Sequence, residues 1–566
     1  MGASPTLGAR VATTLRATVA ALAAVAILGT VVACSSSSDQ ATTSSSASGG
    51  GSTDTSPDRI KPVTGDPKPG GTLVFGLEAE TDGWNPTTNR WAASGTQVAL
   101  AVFDPLVAFD DQFNPTPYLA ESFTPSNNYT VWDFKLRPNV KFHDGSPLNA
   151  AAVVKTVQAF KASPLTGAAA RPIEKVEAVD DLTVRYTMAM PWATFPTGLT
   201  GQAGVVAAPA QLDSPDSTQK PIGTGPFTFQ SWTPDKDLVV KKNASYWRKD
   251  SAGRQLPYLD GITFKPITET ESRFSAVKSG EVNITVTSAE QTIIRMQEEA
   301  KKGGIQLVLS RGQKDVNLVL LNTTAAPMDD LRIRQAMAYA IDRETLRQVS
   351  QTDPALTANS VFETSSKWYK DTGYPGYDPA KAKSLVDSYV AEKGPVKFVF
   401  GSPPDPVTMQ SVQLLQSQWQ AVGMEVEIQN FDQNTFILNA VSGKFQAQIW
   451  RQFGAGDPDN NYIWWVSSNA EGNLALNMAR NKDPELDKAL NDGRATTDFP
   501  ARKAAYDKVQ ERQTADLPYL WLSQQRWAAA ASNQVRNFNG TELPNGARSP
   551  GVTNGVVGLT SVWLDT

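Results

Sequence analysis

Between residues 378 and 450, the spacing of hydrophobic positions switches repeatedly between the strand period and the helix period. Residues 424–429 alternate apolar and polar side chains, which predicts a half-buried strand. In chain order the predicted elements are a helix that starts at Asp378-Pro379 and ends before Gly394, strand 396–400, helix 407–421, strand 424–429, helix 435–442 and strand 445–450. Strands and helices in alternation predict an α/β layer with a largely parallel sheet.

The first 345 residues show the same two periods in shorter segments. Short apolar or alternating runs predict strands at 72–77, 130–136 and 305–309. Residues 150–161 place their branched and aromatic side chains on one face, which predicts a helix. Ser288 to Gln291 has the spacing of a capping box, and Asp329 or Asp330 is expected to cap a further helix.

The first 34 residues contain an apolar run, with arginines on one side and the chain's only cysteine on the other. Arg10 and Arg16 precede the run at 17–33, which matches the order of parts in a secretory signal. Val31 to Cys34 resembles a bacterial lipobox, which implies a signal peptide at 1–33, a lipid on Cys34 and attachment to the cell membrane. An uncleaved membrane helix is the alternative, although the run is short for about 30 Å of hydrocarbon.

Residues 35–57 consist mostly of Ser, Thr and Gly, with almost no bulky apolar side chain. Such a composition does not bury enough surface to fold, so we predict a tether over 34–68. The folded body is expected to begin at Pro69, and it is long enough for two or three lobes.

Composition narrows the function classes. The net charge is −5 with both signs scattered, so no basic stripe is available for nucleic acid. The only histidine, His143, gives no usual zinc site, and no phosphate-binding glycine loop occurs, so we expect neither a metal nor a cofactor. With Cys34 assigned to a lipid, no disulfide within the chain is expected. We also expect a monomer.

Several short segments of the body, taken in order, resemble one family. They lie at residues 119–122, 140–145, 223–229, 243–247, 256–264 and 331–343. They resemble the family 5 extracellular solute-binding proteins, which are the peptide-binding receptors of ATP-driven importers (ABC importers). The resemblance implies an α/β, bilobal fold of the periplasmic-binding-protein type, with two mixed-sheet lobes joined by crossover strands at a hinge. It implies a first lobe at 69–310 with an inserted subdomain, a second lobe at 311–530 and a return to the first lobe at 531–566.

Two strand ends carry the residue types of a ligand site, because ligands of open α/β sheets bind beyond the carboxyl ends of strands. Strand 445–450 is followed by charged, aromatic and glycine residues, and strand 72–77 by acidic residues and a tryptophan. Aromatic side chains offer apolar walls, glycines allow close backbone approach, and charged groups select charged ends. The predicted ligand-binding residues are Glu80, Asp82, Trp84, Trp450, Arg451, Phe453, Gly454, Asp457 and Trp464. As alternatives, Asp457 caps the next segment and the tryptophans belong to the core.

The resemblance implies a receptor that closes over a peptide or peptide-like solute and then docks on an importer permease. Peptide-binding relatives carry an aspartate for the ligand's amino terminus three positions before an Asp-Pro pair, and this chain has Gly454 there. Asp457, Asp459, Glu80 or Asp82 is expected to substitute, unless the ligand is not an ordinary peptide. A solute sensor and a secreted hydrolase are the alternative functions. The hydrolase is disfavoured because the chain has no Gly-x-Ser-x-Gly elbow and no cysteine nucleophile beyond Cys34.

Overall fold

The fold is described from a computed structural model, which covers residues 58–565 except 62, 64, 90, 165, 313 and 455. The predicted signal peptide, Cys34 and most of the predicted tether lie outside the described residues.

A seven-stranded mixed sheet forms the core of the first lobe. Its spatial order is Gln306–Leu309, Ala528–Ala531, Ile284–Thr287, Thr72–Leu77, Gly261–Pro266, Asp237–Lys242 and Phe227–Thr233. Strand Thr72–Leu77 pairs in parallel with both of its neighbours, and the other pairs are antiparallel. Leu73 and Phe75 alternate with Val74 and therefore contribute to cores on opposite faces of the sheet.

A four-stranded antiparallel sheet forms the subdomain inserted in the first lobe. Its order is Ala120–Ser126, Val131–Leu136, Thr183–Met188 and Ile173–Asp180. Helix Ala150–Ala162 packs on this sheet and begins at Asn149, whose side chain accepts a hydrogen bond from the Ala152 amide at 3.0 Å. Trp132, Phe134 and Tyr186 are buried in its core.

A five-stranded mixed sheet forms the core of the second lobe. Its order is Glu425–Asn430, Lys397–Ser402, Ala447–Gln452, Asp315–Leu321 and Tyr519–Gln525. The first three strands are parallel, as their helical connections predict, and the last two pair antiparallel. The prediction of a largely parallel sheet is therefore wrong in part, because two of the four strand pairs are antiparallel. Two of its strands arrive from or leave for the first lobe and have no helical crossover within the sheet.

The chain crosses between the lobes twice, after Leu309 and before Ala528. The return begins before the predicted boundary at 531, because Ala528–Ala531 already belongs to the first sheet. The tether also ends earlier than predicted at 68: Arg59 bridges to Leu307 in that sheet.

Helices cover the sheets of both lobes. Their bounds are Ala93–Val102, Ala150–Ala162, Phe195–Gly198, Pro209–Asp213, Thr270–Ser279, Glu290–Lys301, Leu331–Ala340, Arg343–Ser350, Pro379–Lys393, Pro406–Ala421, Gln433–Ser442, Tyr462–Trp465, Pro484–Arg494 and Phe499–Asp516. The remaining short strands are Val107–Phe109, Pro115–Pro117, Val535–Arg536, Val552–Thr553, Val556–Val557 and Trp563–Leu564. Among the residues described, no helix has the length and apolar character needed to span a membrane.

Candidate functional site

A cavity of about 1850 Å³ lies between the two lobes and is lined by residues from both. The first lobe contributes the segment after strand Thr72–Leu77 and the beginnings of two helices, Thr270–Ser279 and Glu290–Lys301. The second lobe contributes helix Gln433–Ser442 and the end of strand Ala447–Gln452. The site therefore forms where carboxyl ends of strands face each other across the lobes.

The second-lobe wall of the cavity is apolar and exposed. Val407, Ile437, Leu438 and Leu474 line it and are between 37% and 55% exposed, although they are large hydrophobic residues. Beside them, the Trp450 ring stacks on Phe436 with a centroid distance of 5.4 Å. An exposed apolar patch of this kind is typical of a binding surface.

Most of this wall is absent from the residues predicted for the site, although helix Gln433–Ser442 carries a signal for it in the sequence. Phe436, Ile437 and Leu438 are three consecutive apolar residues, and a helix buries only one stripe. At least one of them must therefore face outward.

Arg451 connects the two lobes at the end of strand Ala447–Gln452. Its Nη1 donates a hydrogen bond to the Ser288 hydroxyl at 2.9 Å, and its Nε lies 3.9 Å from Asp315 Oδ2. Its guanidinium lies 5.1 Å from the ring centroid of Phe453 and 5.3 Å from that of Trp527. These contacts hold the cation at the edge of the cavity.

Ser288 does not cap the helix that follows it, which corrects the predicted capping box. The helix begins at Glu290, and Ala289 occupies its N-cap position without a side-chain hydrogen bond. The Ser288 hydroxyl instead accepts the hydrogen bond from Arg451. Spacing along the chain could not reveal this contact, because Arg451 belongs to the other lobe.

Asp315 holds the loop that contains Gly454. Its Oδ1 accepts a hydrogen bond from the Gly454 amide at 2.7 Å, and its Oδ2 accepts one from Trp527 Nε1 at 2.9 Å. Burial raises the pKa of Asp315, and the charge of Arg451 opposes this shift. The Gly454 carbonyl accepts a hydrogen bond from Asn554 Nδ2 at 2.9 Å. The backbone at 454 is thereby fixed from both sides.

Glu80 and Asp82 line the cavity, as do Trp450, Arg451, Phe453, Gly454 and Trp464. The two carboxylates are already bonded to the protein. Glu80 accepts hydrogen bonds from Trp232 Nε1 at 3.2 Å and from the Asp235 amide at 2.6 Å, and Asp82 accepts one from Asn89 Nδ2 at 3.1 Å.

Trp84 lies in the hydrophobic core of the first lobe and is absent from the cavity lining, which corrects its predicted place in the site. It is 4% exposed and meets the Trp232 ring edge to face at 5.5 Å. The Trp84 ring therefore belongs to the core, as the alternative for the tryptophans expected.

Asp457 forms an ion pair outside the cavity lining, which corrects its predicted ligand contact. Arg502 donates two hydrogen bonds to its carboxylate, at 2.5 and 2.8 Å. Asp457 Oδ1 also accepts a hydrogen bond from the Asp459 amide at 2.9 Å, as a capping residue does. The alternative role as a cap is therefore the one that the structure shows.

The match to a family model extends over residues 114–473 and carries the description "Bacterial extracellular solute-binding proteins, family 5 Middle". This chain belongs to that family. The family resemblance and the bilobal α/β fold expected from the sequence are thus confirmed.

This family 5 protein is similar to receptors of several different solutes. The glutathione-binding protein GsiB of Pectobacterium atrosepticum is 28% identical over 469 residues, which are 78% of this chain and 86% of GsiB. The oligopeptide-binding protein AppA of Bacillus subtilis, solved with a nonapeptide, is 22% identical with a TM-score of 0.75, covering 88% of this chain and all of AppA. NikZ of Campylobacter jejuni, solved with Ni(L-His), is also 22% identical, with a TM-score of 0.71 and coverage of 86% and 97%.

In this family 5 protein, a second set of contacts between the lobes lies around Asp459, which also lines the cavity. The buried Asp459 Oδ2 of the second lobe accepts hydrogen bonds from Trp192 Nε1 and Thr194 Oγ1 of the first lobe, both at 2.6 Å. Arg494 donates to the other oxygen of Asp459 at 2.9 Å, and its guanidinium lies 4.2 Å from the Trp192 ring centroid. Asp459 therefore serves lobe contact and is unavailable as a substitute for the family's amine-binding aspartate.

His143 lies apart from the cavity lining. Its Nε2 lies 3.0 Å from the Gly225 carbonyl oxygen, and burial lowers the pKa of the ring. Within the described ranges, no group of three His, Cys, Asp or Glu side chains is arranged to hold a metal ion.

Proposed function

We propose that this family 5 protein is a lipid-anchored extracellular receptor that captures peptides or peptide-like polar solutes and delivers them to an ABC importer. Family membership supports the coarser part of this proposal, namely solute binding for such an importer. The lipid on Cys34 and the peptide nature of the solute are proposed in addition to what family membership supports.

The observation that carries the proposal is the cavity of about 1850 Å³ between the lobes. Its volume exceeds the roughly 300–1,000 Å³ of pockets for drug-sized ligands, so it has room for a short peptide with ordered water. The exposed apolar residues of the second-lobe wall suit the side chains of a solute, and the carboxyl groups of the first-lobe wall suit its charged or hydrogen-bonding groups. GsiB is a glutathione-binding protein and AppA was solved with a nonapeptide, and both relatives favour the same ligand class.

The proposed mechanism is lobe closure around the solute without any covalent step. In the part of the chain that the structure describes, two connections join the lobes, after Leu309 and before Ala528, so the second lobe can rotate about them. A solute that contacts both walls stabilises the closed state in proportion to its preference for that state. We expect the protein to act as a monomer and the permease to be its partner. The closed form then presents both lobes to the permease.

A capture experiment tests the proposal. The body from residue 58 is incubated with a synthetic library of tripeptides to hexapeptides, washed and analysed by native mass spectrometry. We expect intact peptides at one per protein. Cleaved products would indicate a hydrolase, and capture of no peptide would overturn the peptide assignment. Deletion of the gene is expected to abolish uptake of the captured peptides, whereas unchanged uptake would favour a sensor.

Variants of one aromatic residue connect capture to the cavity. Trp450→Ala removes a ring from the apolar wall and is expected to weaken peptide affinity about tenfold, since a buried aromatic contributes about 1.5 kcal/mol or more. Tyr377→Ala is the matched control, because Tyr377 is 56% exposed and lies outside the cavity lining. Equal affinity of both variants, measured by titration calorimetry, would place the ligand elsewhere.

A further inference from the structure

Nine carboxyl groups line the cavity in the described part of the chain, against six guanidinium groups, so its formal charge favours a cationic solute. Eight of the nine accept at least one hydrogen bond from the protein. They are Glu80, Asp82, Asp104, Glu269, Glu271, Glu290, Asp405 and Asp459. Glu78 accepts none from any described residue.

Glu78 is the first residue after strand Thr72–Leu77, and its side chain is 25% exposed. Its nearest cation is Arg273, at 4.0 Å, which is beyond hydrogen-bond distance. Arg273 instead donates from Nη1 to the backbone carbonyl of Ile267 at 2.5 Å. The oxygens of Glu78 thus face the cavity with their acceptor positions open.

Glu78 and the charged groups around it carry a net negative charge that one ammonium group would balance. Arg451, Arg273 and Asp315 act electrostatically on Glu78, and Glu269 acts on Arg273. These five groups carry one formal negative charge in total. Burial is the largest influence on the carboxyl and raises its pKa. A desolvated carboxylate without donors is unfavourable, so a ligand that donates hydrogen bonds and positive charge is favoured there.

Glu78 also lies near the position that lacks the family's amine-binding carboxylate. Its electrostatic neighbour Asp315 holds the Gly454 amide, and its neighbour Arg451 ends the strand that leads to Gly454. A carboxylate at 454 would come from the second lobe, whereas Glu78 approaches the same region from the first lobe.

We propose that Glu78 binds the ammonium group of the solute and thereby restricts the substrates to peptides and peptide-like solutes with a free primary amine. This inference rests on the proposed function and assigns the specificity-determining residue of the same cavity. Glu80, Asp82, Asp457 and Asp459 do not take this role, because each is already bonded to other groups of the protein.

The test uses the body from residue 58 and a tripeptide-to-hexapeptide library in which every sequence is present with a free and with an acetylated amino terminus. We expect the wild-type protein to capture free-amine members at least tenfold more than their acetylated partners. Glu78→Gln is expected to reduce this ratio to within about twofold of unity, and Glu78→Asp, which keeps the charge, to retain part of the preference.

Glu281→Gln is the matched control, because Glu281 belongs to the same lobe, is 61% exposed and pairs with Lys265 outside the cavity. It should keep the wild-type ratio. Thermal unfolding within a few degrees of wild type verifies that Glu78→Gln is folded. Equal capture of both library halves by the wild type, or an unchanged ratio in folded Glu78→Gln, would overturn the role of Glu78. Capture of neither half would instead overturn the proposed function, and this inference with it.

Discussion

At the scale of single residues, Arg451 shows how the protein itself holds one cation at the edge of the cavity. Its guanidinium is held by a hydroxyl from the first lobe, a buried carboxylate and two aromatic rings. A cation held in this way loses little freedom when a ligand binds, which lowers the entropic cost of association. The same arrangement leaves Glu78 as the nearby carboxylate without a hydrogen-bond donor among the described residues.

The raised pKa of Glu78 predicts a pH dependence of affinity. Only the ionised carboxylate attracts an ammonium group, so affinity for a free-amine peptide should be full above the pKa of Glu78 and fall as the pH drops through it. Because burial raises that pKa above its usual 4.5, the loss should begin at a higher pH than for an exposed glutamate.

Titration calorimetry from pH 7.5 down to about 4.5 measures this dependence. The charged groups that act on Glu78 are Arg273, Arg451 and Asp315, and Asp315 is the carboxyl group among them. Glu78→Gln isolates the contribution of Asp315, and its profile should be flatter than that of the wild type. Identical profiles for the two proteins would contradict the prediction.

At the scale of elements, two segments hold the lobes together beside the cavity: the residues before helix Phe195–Gly198 and the end of helix Pro484–Arg494. The Ala193 amide donates to the Arg494 carbonyl at 2.7 Å, and the flanking Trp192 and Thr194 both donate to Asp459. These bonds run between the lobes, so they contribute to the free energy of closure.

Thr194→Val should weaken solute binding without removing a lining residue. The substitution deletes one hydrogen bond to a buried carboxylate, which contributes about 1.5 kcal/mol, and so favours the open state. We expect about tenfold lower peptide affinity in calorimetry and a larger radius of gyration in small-angle X-ray scattering. Thr228→Val, which removes an exposed bond to Lys241 within the first lobe, should alter neither. Wild-type affinity in Thr194→Val would show that these bonds do not control closure.

At the scale of the whole molecule, the chain enters the folded body beside the first crossing between lobes. Asp58 Oδ1 accepts a hydrogen bond from the Leu309 amide at 2.9 Å, and its Oδ2 accepts one from Arg311 at 2.6 Å. Leu309 is the last residue of its strand before the crossing. If Cys34 carries a lipid, as proposed, the anchored segment joins the body beside this crossing.

Cys34→Ser should abolish lipid labelling and release the protein from the membrane fraction while leaving peptide affinity unchanged. The reason is that the cavity belongs to the body from residue 58 onward, whereas the cysteine is proposed to serve only attachment. Labelling with a lipid analogue and titration of the released protein measure the two effects. Ser37→Ala should label as the wild type does, and lipid labelling that survives in Cys34→Ser would refute the anchor.

Local patterns predicted many elements well where one face of an element is buried. Helix Ala150–Ala162, strand Thr72–Leu77 and the cap at Asp330 agree with the predicted segments within a residue or two. Predictions that depended on distant partners were less successful. Asp457 pairs with Arg502, Trp84 packs on Trp232, and Ser288 binds Arg451.

The sequence by itself determined the family, the two-lobed class of fold and the residues at the carboxyl ends of the strands, because periodicity and short motifs are local properties. Only the tertiary structure decided which of those residues line the cavity and which are neutralised by partners. Glu78 and Glu80 are indistinguishable in the sequence, two positions apart. They differ because Trp232, on strand Phe227–Thr233, and Asp235, in the turn after that strand, donate hydrogen bonds to Glu80 and not to Glu78. The fold decides which glutamate these donors reach, and the local sequence does not reveal it.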